Sequence, residues 1–360
     1  TVDGFEFFGG ISHGVEKRSH VRSRIIANAL ADQIRQSDSV IIMGHRQSDL
    51  DAIGSAIGLL RMCKMCDVPS VIAVRSKATL AGQLLDVFNK AGEDHNFIEP
   101  EETYKLITPK TLLIVTDTYQ KRLLEDQKIY EKCSRVVVID HHRMAVGHID
   151  NPILLYHEPF ASSASELVCE LLQFMPAQNN ITQLEAQALL SGIMLDTRSF
   201  ALHVGVRTFE AAALLRRCGA NPNLIRQLFK DDLSFVQQKA KLIAGARMPI
   251  PGLSVAVMRN ADNDTMSSVL AAQTADTLIT IESVAVGMAI VEYKDGSLSI
   301  SARSDGSVNV QVIMEELGGG GHQTVAGVQL ANKRARDVEA QIIALTKKQL
   351  EECRTDESNS

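Results

Sequence analysis

The sequence contains no tryptophan, and aromatic residues make up only 4% of its 360 positions. Proteins that track long single-stranded nucleic acid stack bases on aromatic rings along a basic groove. With so few rings and a formal net charge of −6, the chain offers no such groove overall, which leaves only a local basic patch open. No apolar run approaches the ~20 residues needed to cross a bilayer. The opening stretch TVDGFEFFGGISHGVEKRSHVRSR lacks the hydrophobic centre of a secretory signal. As it stands, the chain reads as soluble. A regular cysteine framework is also missing. Cys63, Cys66, Cys133, Cys169, Cys218 and Cys353 are scattered, which fits reduced thiols better than disulfides. Cys63-Lys-Met-Cys66 sits in an apolar helical pattern with no second pair to complete a zinc site. Two partly buried cysteines are the simpler reading.

What is present is an ordinary folding composition, 45% hydrophobic and 22% charged, in a chain long enough for two globular units. The first residues do not read as the start of a domain. Phe5-Glu-Phe-Phe-Gly-Gly and the charged stretch after it resemble the last strand of a preceding unit. From Val21 to about Gln36 an amphipathic helix is predicted, with Ile25, Ile26, Ala29, Leu30 and Ile34 on one face. Then the chain alternates. Buried strands are predicted at VIIMG (40–44), VIAV (71–74), TLLIVTD (111–117) and VVVID (136–140). Helices are expected at Ala52–Cys66 and at about 81–91, 120–132 and 163–174. Strands apolar on both faces that alternate with helices imply a parallel sheet covered on both sides.

After Asn179 the pattern turns helical at Thr182–Met194 and Val206–Cys218. The polar stretch Phe229–Lys241 reads as a connecting helix or linker. A second alternating region runs through LSVAVM, TLITIESVAVGMAIVEY and LSISARS. Its Lys294-Asp-Gly-Ser turn is a hairpin signal. Gly318–Gly321 precede VAGVQL and a long helix to about Glu352, and RTDESNS closes the chain as a polar tail.

Four acidic or histidine clusters fall at the ends of these elements. They are Gly44-His45-Arg-Gln-Ser-Asp49-Leu-Asp51-Ala-Ile-Gly54, Asp117 after TLLIVT, Asp140-His141-His142, and Asp196 after a helical run. In open α/β sheets, ligands bind beyond the carboxyl ends of the strands. His45, Asp49, Asp51, Asp117, His141 and Asp196 can converge there. Two divalent cations roughly 3.5–4 Å apart can drive a phosphoryl displacement, and they need several carboxylates to offset their charge. Imidazoles beside the carboxylates suit a borderline ion such as Mn²⁺, with other divalent ions open. Each residue alone has a plainer reading. An Asp after a strand is usually a cap or turn residue, and a lone His is usually a hydrogen bonder. The His-x-x-x-Asp-x-Asp spacing is the more specific signal.

GHRQSDLDAIG, VTDTY, IDHHR and MLDTR resemble, in order, the motifs of the DHH phosphoesterase superfamily. ISARSDGSVNVQVIMEELGGGGHQTVAG resembles its associated C-terminal substrate domain. Within the superfamily, the chain is similar to the GdpP-type cyclic-di-AMP phosphodiesterases. The resemblance implies an α/β, bilobal protein: a parallel-sheet DHH domain followed by a smaller α/β substrate-binding domain that closes over the nucleotide. The implied boundaries are 1–22 for the tail of a degenerate GGDEF-like domain and 23–228 for the catalytic domain. A linker at 229–245, the substrate domain at 246–352 and a polar tail at 353–360 follow.

Carried over position by position, the likeness implies two Mn²⁺ ions per chain. His45, Asp49 and Asp117 would hold one, and Asp51, Asp117, His141 and Asp196 the other. Asp140 would orient His141, the usual service of a carboxylate to a metal-bound imidazole. His142 would face the scissile phosphate. Arg303, Ser304, Gly318, Gly319, Gly320, Gly321 and His322 would cradle the substrate, with Asn309 a further nucleotide contact. Glycines let backbone N–H groups approach a phosphate closely. Arg303 would also stabilise transition-state charge. The implied activity is hydrolysis of cyclic di-AMP to linear pApA by a cytoplasmic domain with no long nucleic acid as partner. A homodimer is left open, and the parent protein would be membrane-anchored with further N-terminal domains. The alternatives are a RecJ-like exonuclease or short-oligonucleotide hydrolase, and a non-catalytic cyclic-dinucleotide sensor.

Overall fold

The computed structural model describes residues 20–92, 97–142, 147–175, 181–230, 232–262, 265–321, 323–331 and 333–357. The Phe5–Gly10 stretch and His322 lie outside the described residues. The chain divides into two compact units, Thr1–Lys230 and Asp231–Ser360.

The first unit runs α1 (His20–Arg35), β1 (Val40–Met43), α2 (Leu50–Met65), β2 (Ser70–Ala73), α3 (Gly82–Ala91), β3 (Phe97–Ile98), α4 (Pro100–Thr103), β4 (Leu112–Thr116), α5 (Gln127–Lys132), β5 (Arg135–Asp140) and β6 (Leu154–His157). It continues with α6 (Ala164–Leu172), α7 (Gln183–Asp196), α8 (Val206–Arg217) and α9 (Pro222–Ile225). The strands form one six-stranded sheet in the order β3-β2-β1-β4-β5-β6, parallel at every pairing. The side-chain period of two sorts each strand between two cores. Val40, Ile42, Leu112, Ile114, Val137 and Ile139 join the cluster under α2, α6 and α7. Ile41, Met43, Leu113, Val115, Val136 and Val138 pack on the opposite face with Tyr119, Leu124 and Ile129. Apolar runs with no polar alternation are therefore what this sheet needs. Strand order reverses between β1 and β4, and the ends of those strands lead into His45 and Asp117. Such a switch point opens a crevice beyond the strand ends.

Two local expectations change, and one strand was not foreseen. On α1 the core face is Ala27, Leu30, Ala31 and Ile34, while Ile25 is exposed, because the helical period puts those four on one side and Ile25 on the other. The stretch 120–132 holds only a 3₁₀ turn, Lys121–Leu123, before α5, since Asp126 caps a new helix through the N–H groups of Lys128 and Ile129. β6 is an edge strand too short and too exposed to give a pattern.

The second unit consists of α10 (Leu233–Ala244), β7 (Arg247–Ile250), β8 (Leu253–Ala261), α11 (Thr265–Leu278), β9 (Val286–Tyr293), β10 (Leu298–Ser304), α12 (Val310–Glu316), β11 (Gly320–Gly321), β12 (Val325–Leu330) and α13 (Ala335–Glu357). Its sheet has the order β11-β12-β10-β9-β8-β7 and is mixed, with β8 and β9 parallel and the expected β9–β10 hairpin antiparallel. TLITIESVAVGMAIVEY is not one strand. Its first residues finish α11 and only Val286–Tyr293 enter the sheet. A parallel β8–β9 pair requires such a crossover. Ala271 and Ala275 of α11 cover Ala289, Val291 and Tyr293, while Met288 and Ile290 face the other core.

No helix among the described residues is long and apolar enough to cross a membrane.

Candidate metal centre

The loop after β1 is drawn back against the segment before α5. His45 forms an isolated bridge with Leu124, and the Ser48 hydroxyl donates to the His45 carbonyl at 2.6 Å. Asp49 then caps α2, its Oδ1 accepting from the N–H groups of Asp51 and Ala52 at 2.9 and 3.1 Å. Both orientations bring the two side chains toward Asp117 at the end of β4. His45 Nε2 lies 3.9 Å from Asp49 Oδ1 and 3.4 Å from Asp117 Oδ2.

On the other side of Asp117 stands His141. Its Nε2 lies 3.4 Å from Asp117 Oδ1, 3.1 Å from Asp196 Oδ2 and 3.9 Å from Asp51 Oδ2. Asp51 is fully buried and rests on the start of α6, where its two oxygens accept from the N–H groups of Ala164 and Ser165 at 2.7 and 2.8 Å. A helix N-terminus favours a carboxylate there. Gly192 of α7 makes this approach feasible, since a Cβ at that position would fall 2.6 Å from Asp51 Oδ1. Asp196 is the last residue of α7, an end where the helix dipole disfavours negative charge, so its contact with His141 offsets the cost.

Three sets of ligand atoms are close enough to share an ion: His45, Asp49 and Asp117; Asp51, His141 and Asp196; Asp117, His141 and His142. Asp117 Oδ1 and His141 Nε2 are buried without a hydrogen-bond partner among the described residues. Buried polar atoms are nearly always partnered, and here a cation is the partner that the chemistry of the donors fits. The electrostatics point the same way. Burial and the neighbouring Asp117 push the Asp49 carboxyl up to about 6, and the same two causes with Asp196 push Asp51 well up. Burial would lower the His45 pKa, yet Asp117, Asp49 and Glu125 raise it to about 9. Burial would raise Asp117, but the imidazoles of His141 and His45 hold it well below the usual carboxylate range. The cluster thus retains protons that an added positive charge would replace.

The Asp140 expectation needs correction. Its Oδ1 accepts from His142 Nδ1 at 2.8 Å and from the backbone N–H groups of His141 and His142. The ring it orients is therefore that of His142. The His141 ring instead places Nδ1 3.3 Å from the Ala161 carbonyl, because the β6–α6 connection reaches that face first. Burial would lower the His142 pKa, but the bond to Asp140 and the charge of Asp117 raise it. His142 lines a cleft of about 340 Å³ together with His45, Arg46, Asp49, Asp117 and Gln120.

In the second unit Arg303, Ser304, Asn309 and the glycine run have partners within the unit. Arg303 Nε donates to Asp276 Oδ1 at 2.6 Å. Ser304 Oγ accepts from the Gly306 N–H at 3.0 Å. Asn309 caps α12 by accepting from the Gln311 N–H, which accounts for it as a cap. Gly318, with φ +88°, closes α12, and a Cβ on Gly319 would strike Val328 at 2.5 Å. Gly320 and Gly321 pair with β12. The glycine run is therefore a tight reversal rather than an open loop.

Sequence reasoning missed Ala161, Glu125 and Glu166 around the centre. Only Glu166 left a trace, as the Ser-x-x-Glu signature of a helix start at Ser163.

Residues 39–193 match the family described as DHH family, N-terminal domain, and residues 252–352 match the DHHA1 domain. The chain is 43% identical over 340 residues to the cyclic-di-AMP phosphodiesterase GdpP of Geobacillus thermodenitrificans, covering 94% of this chain and 51% of that protein. It is 38% identical to the cyclic-di-AMP phosphodiesterase PdeA of Listeria monocytogenes, covering 94% of this chain and 52% of that protein. It thus spans about half the length of these curated relatives. An exopolyphosphatase-related protein from Bacteroides fragilis shares the fold at a TM-score of 0.76 and 17% identity, covering 92% of this chain and 98% of that one. The chain belongs to the DHH family, with its N-terminal DHH domain followed by a DHHA1 domain.

Proposed function

We propose that the chain carries the catalytic portion of a cyclic-dinucleotide phosphodiesterase that opens cyclic di-AMP to linear pApA with two divalent cations, Mn²⁺ foremost. The observation that carries this reading is the gathering of carboxylates and imidazoles on both sides of Asp117, with Asp117 Oδ1 and His141 Nε2 buried and unpartnered among the described residues. The mixed oxygen and nitrogen donors suit a borderline ion. Relatives named as cyclic-di-AMP phosphodiesterases support the choice of substrate.

In this reading His45, Asp49 and Asp117 hold one ion, and Asp51, Asp117, His141 and Asp196 hold the other. Bound divalent ions supply Lewis acidity to the attacking and leaving oxygens of a phosphoryl displacement. The protein positions the rest. Asp140 occupies His142 Nδ1, so Nε2 is the nitrogen that can meet a phosphate or leaving oxygen and hold a proton there. The start of α6 keeps Asp51 in place, and the Ala161 carbonyl keeps the His141 ring turned with Nε2 toward the carboxylates. Arg303, Ser304, Gly318–Gly321 and His322 are the proposed nucleotide contacts of the DHHA1 domain.

The test is hydrolysis by the purified protein with Mn²⁺, read by mass spectrometry with cyclic di-AMP, cyclic di-GMP, pApA and a single strand of about twenty nucleotides offered in parallel. Accumulation of pApA from cyclic di-AMP, with slower opening of cyclic di-GMP, is expected. Tight binding with no turnover would make the chain a sensor instead. Faster degradation of a single strand of about twenty nucleotides than of cyclic di-AMP would make it an exonuclease.

A further inference from the structure

The signature Ser163-Ala-Ser-Glu166 predicts that Glu166 folds back onto the N–H of Ser163 to close a capping box. Half of that box forms, with Ser163 Oγ accepting from the Glu166 N–H at 3.0 Å. The Glu166 carboxylate goes elsewhere. It is 1% exposed, and its Oε2 accepts from the Ser162 N–H at 3.2 Å, the Ser162 hydroxyl at 2.5 Å and the Thr208 hydroxyl of α8 at 2.6 Å. One buried oxygen therefore ties the connection between β6 and α6 to α8.

That connection touches the candidate centre at three backbone atoms. The Ala161 carbonyl stands at His141 Nδ1, and the N–H groups of Ala164 and Ser165 hold the two oxygens of Asp51. His141 and Asp51 belong to the set that includes Asp196. The bonds described for His45 and Asp49 involve none of these residues.

Resting on the metal-centre reading above, we infer that Glu166 is a positioning residue for the Asp51–His141–Asp196 ion and not for the ion at His45 and Asp49. Its acceptor oxygen fixes Ser162, and Ser162 fixes the backbone atoms flanking it. Partners of this outer kind are worth about 10–100-fold in metal affinity. The need is for an acceptor, not for a charge, so a Gln oxygen in the same place should serve.

The experiment is titration with Mn²⁺ alone, following free ion by electron paramagnetic resonance, on the parent protein, Glu166→Gln, Glu166→Leu and Thr208→Val. Parent protein and Glu166→Gln should bind two ions alike. Glu166→Leu should weaken one ion by about 10–100-fold and leave the other unchanged, and Thr208→Val should weaken that same ion less. In an Asp196→Ala background, where the second ion is already lost, Glu166→Leu should have no further effect on the ion that remains. A purely structural defect would weaken both ions and would overturn the inference. Unchanged binding in folded Glu166→Leu would also overturn it. Should Glu166→Leu fail to fold, Thr208→Val decides, because it removes the donor to Glu166 with little change of shape, its other loss being the acceptor of the Gly205 N–H at the start of α8. A parent protein that binds no ion would take down the metal-centre reading itself, and this inference with it.

Discussion

Asp117 Oδ1 lies 3.4 Å from His141 Nε2, and Asp117 Oδ2 lies 3.4 Å from His45 Nε2. One carboxylate is flanked by an imidazole on each side, at the strand end where the sheet reverses order. Asp117 also holds φ at +58°, a left-handed conformation that costs a non-glycine residue and that concentrates at functional sites.

Asp117→Asn should keep this backbone, since asparagine tolerates left-handed φ, but lose the negative charge that stands between His45 and His141. Hydrolysis of cyclic di-AMP should fall by more than about a hundredfold, beyond what loss of an outer partner costs. Cys63→Ala and Cys66→Ala should stay close to the parent rate in the same assay. Equal loss at the cysteines would mean that the chemistry lies elsewhere.

Chelated protein should become less stable as pH rises. The folded pKa of His45 is raised from 6.5 to about 9, so its stabilising proton is fully present below 6.5 and lost as pH passes through 9. Asp49, raised from 3.8 to about 6, gives the same sign at lower pH, its contribution being lost as pH rises through 6. Because ions must displace these protons, Mn²⁺ affinity should strengthen from pH 6 toward pH 9. Thermal unfolding at several pH values, with chelator and with Mn²⁺, reads both effects. A chelated protein that gains stability toward pH 9 would contradict the arrangement.

Gly192→Ala would place a Cβ 2.3 Å from Ser165 Oγ and 2.6 Å from Asp51 Oδ1. Overpacking of this kind costs about 1–3 kcal/mol. A lower midpoint in urea should accompany weaker binding of one Mn²⁺. Parent-like stability and binding would show that α7 can retreat without disturbing Asp51.

Arg303→Ala tests the second domain. The variant should lose about tenfold to a hundredfold in turnover of cyclic di-AMP, the scale of a hydrogen bond to a charged group, while ion stoichiometry stays at the parent value. Asp276→Asn, which disturbs the partner of Arg303 Nε, should give a smaller loss. A change in ion binding in the Arg303 variant would refute its assignment to substrate alone.

Much of the fold could be read in advance because its strands are doubly buried. VIIM, LLIVT and VVVI admit only a covered parallel sheet, and the acidic and histidine residues that follow them had to line one rim. Helix α11 escaped because its alanines and threonines give little periodicity, and because the neighbouring TLITIESVAV stretch imitates a strand. The partner of Asp140 escaped because His141 and His142 are adjacent and chemically alike, so only the direction of each ring tells them apart.

What the sequence determined by itself was local: which residues end each strand, and that His45, Asp49 and Asp51 share one loop and helix start. Short-range backbone geometry and the period of the apolar pattern suffice for that. The tertiary structure alone decided the encounters between distant residues, such as Asp196 with His141, Asp51 with the start of α6, and Glu166 with Thr208 rather than with its own cap. Those pairings depend on how helices pack over the sheet. A buried carboxylate takes whichever donors that packing delivers, and no pattern of neighbouring residues records the choice.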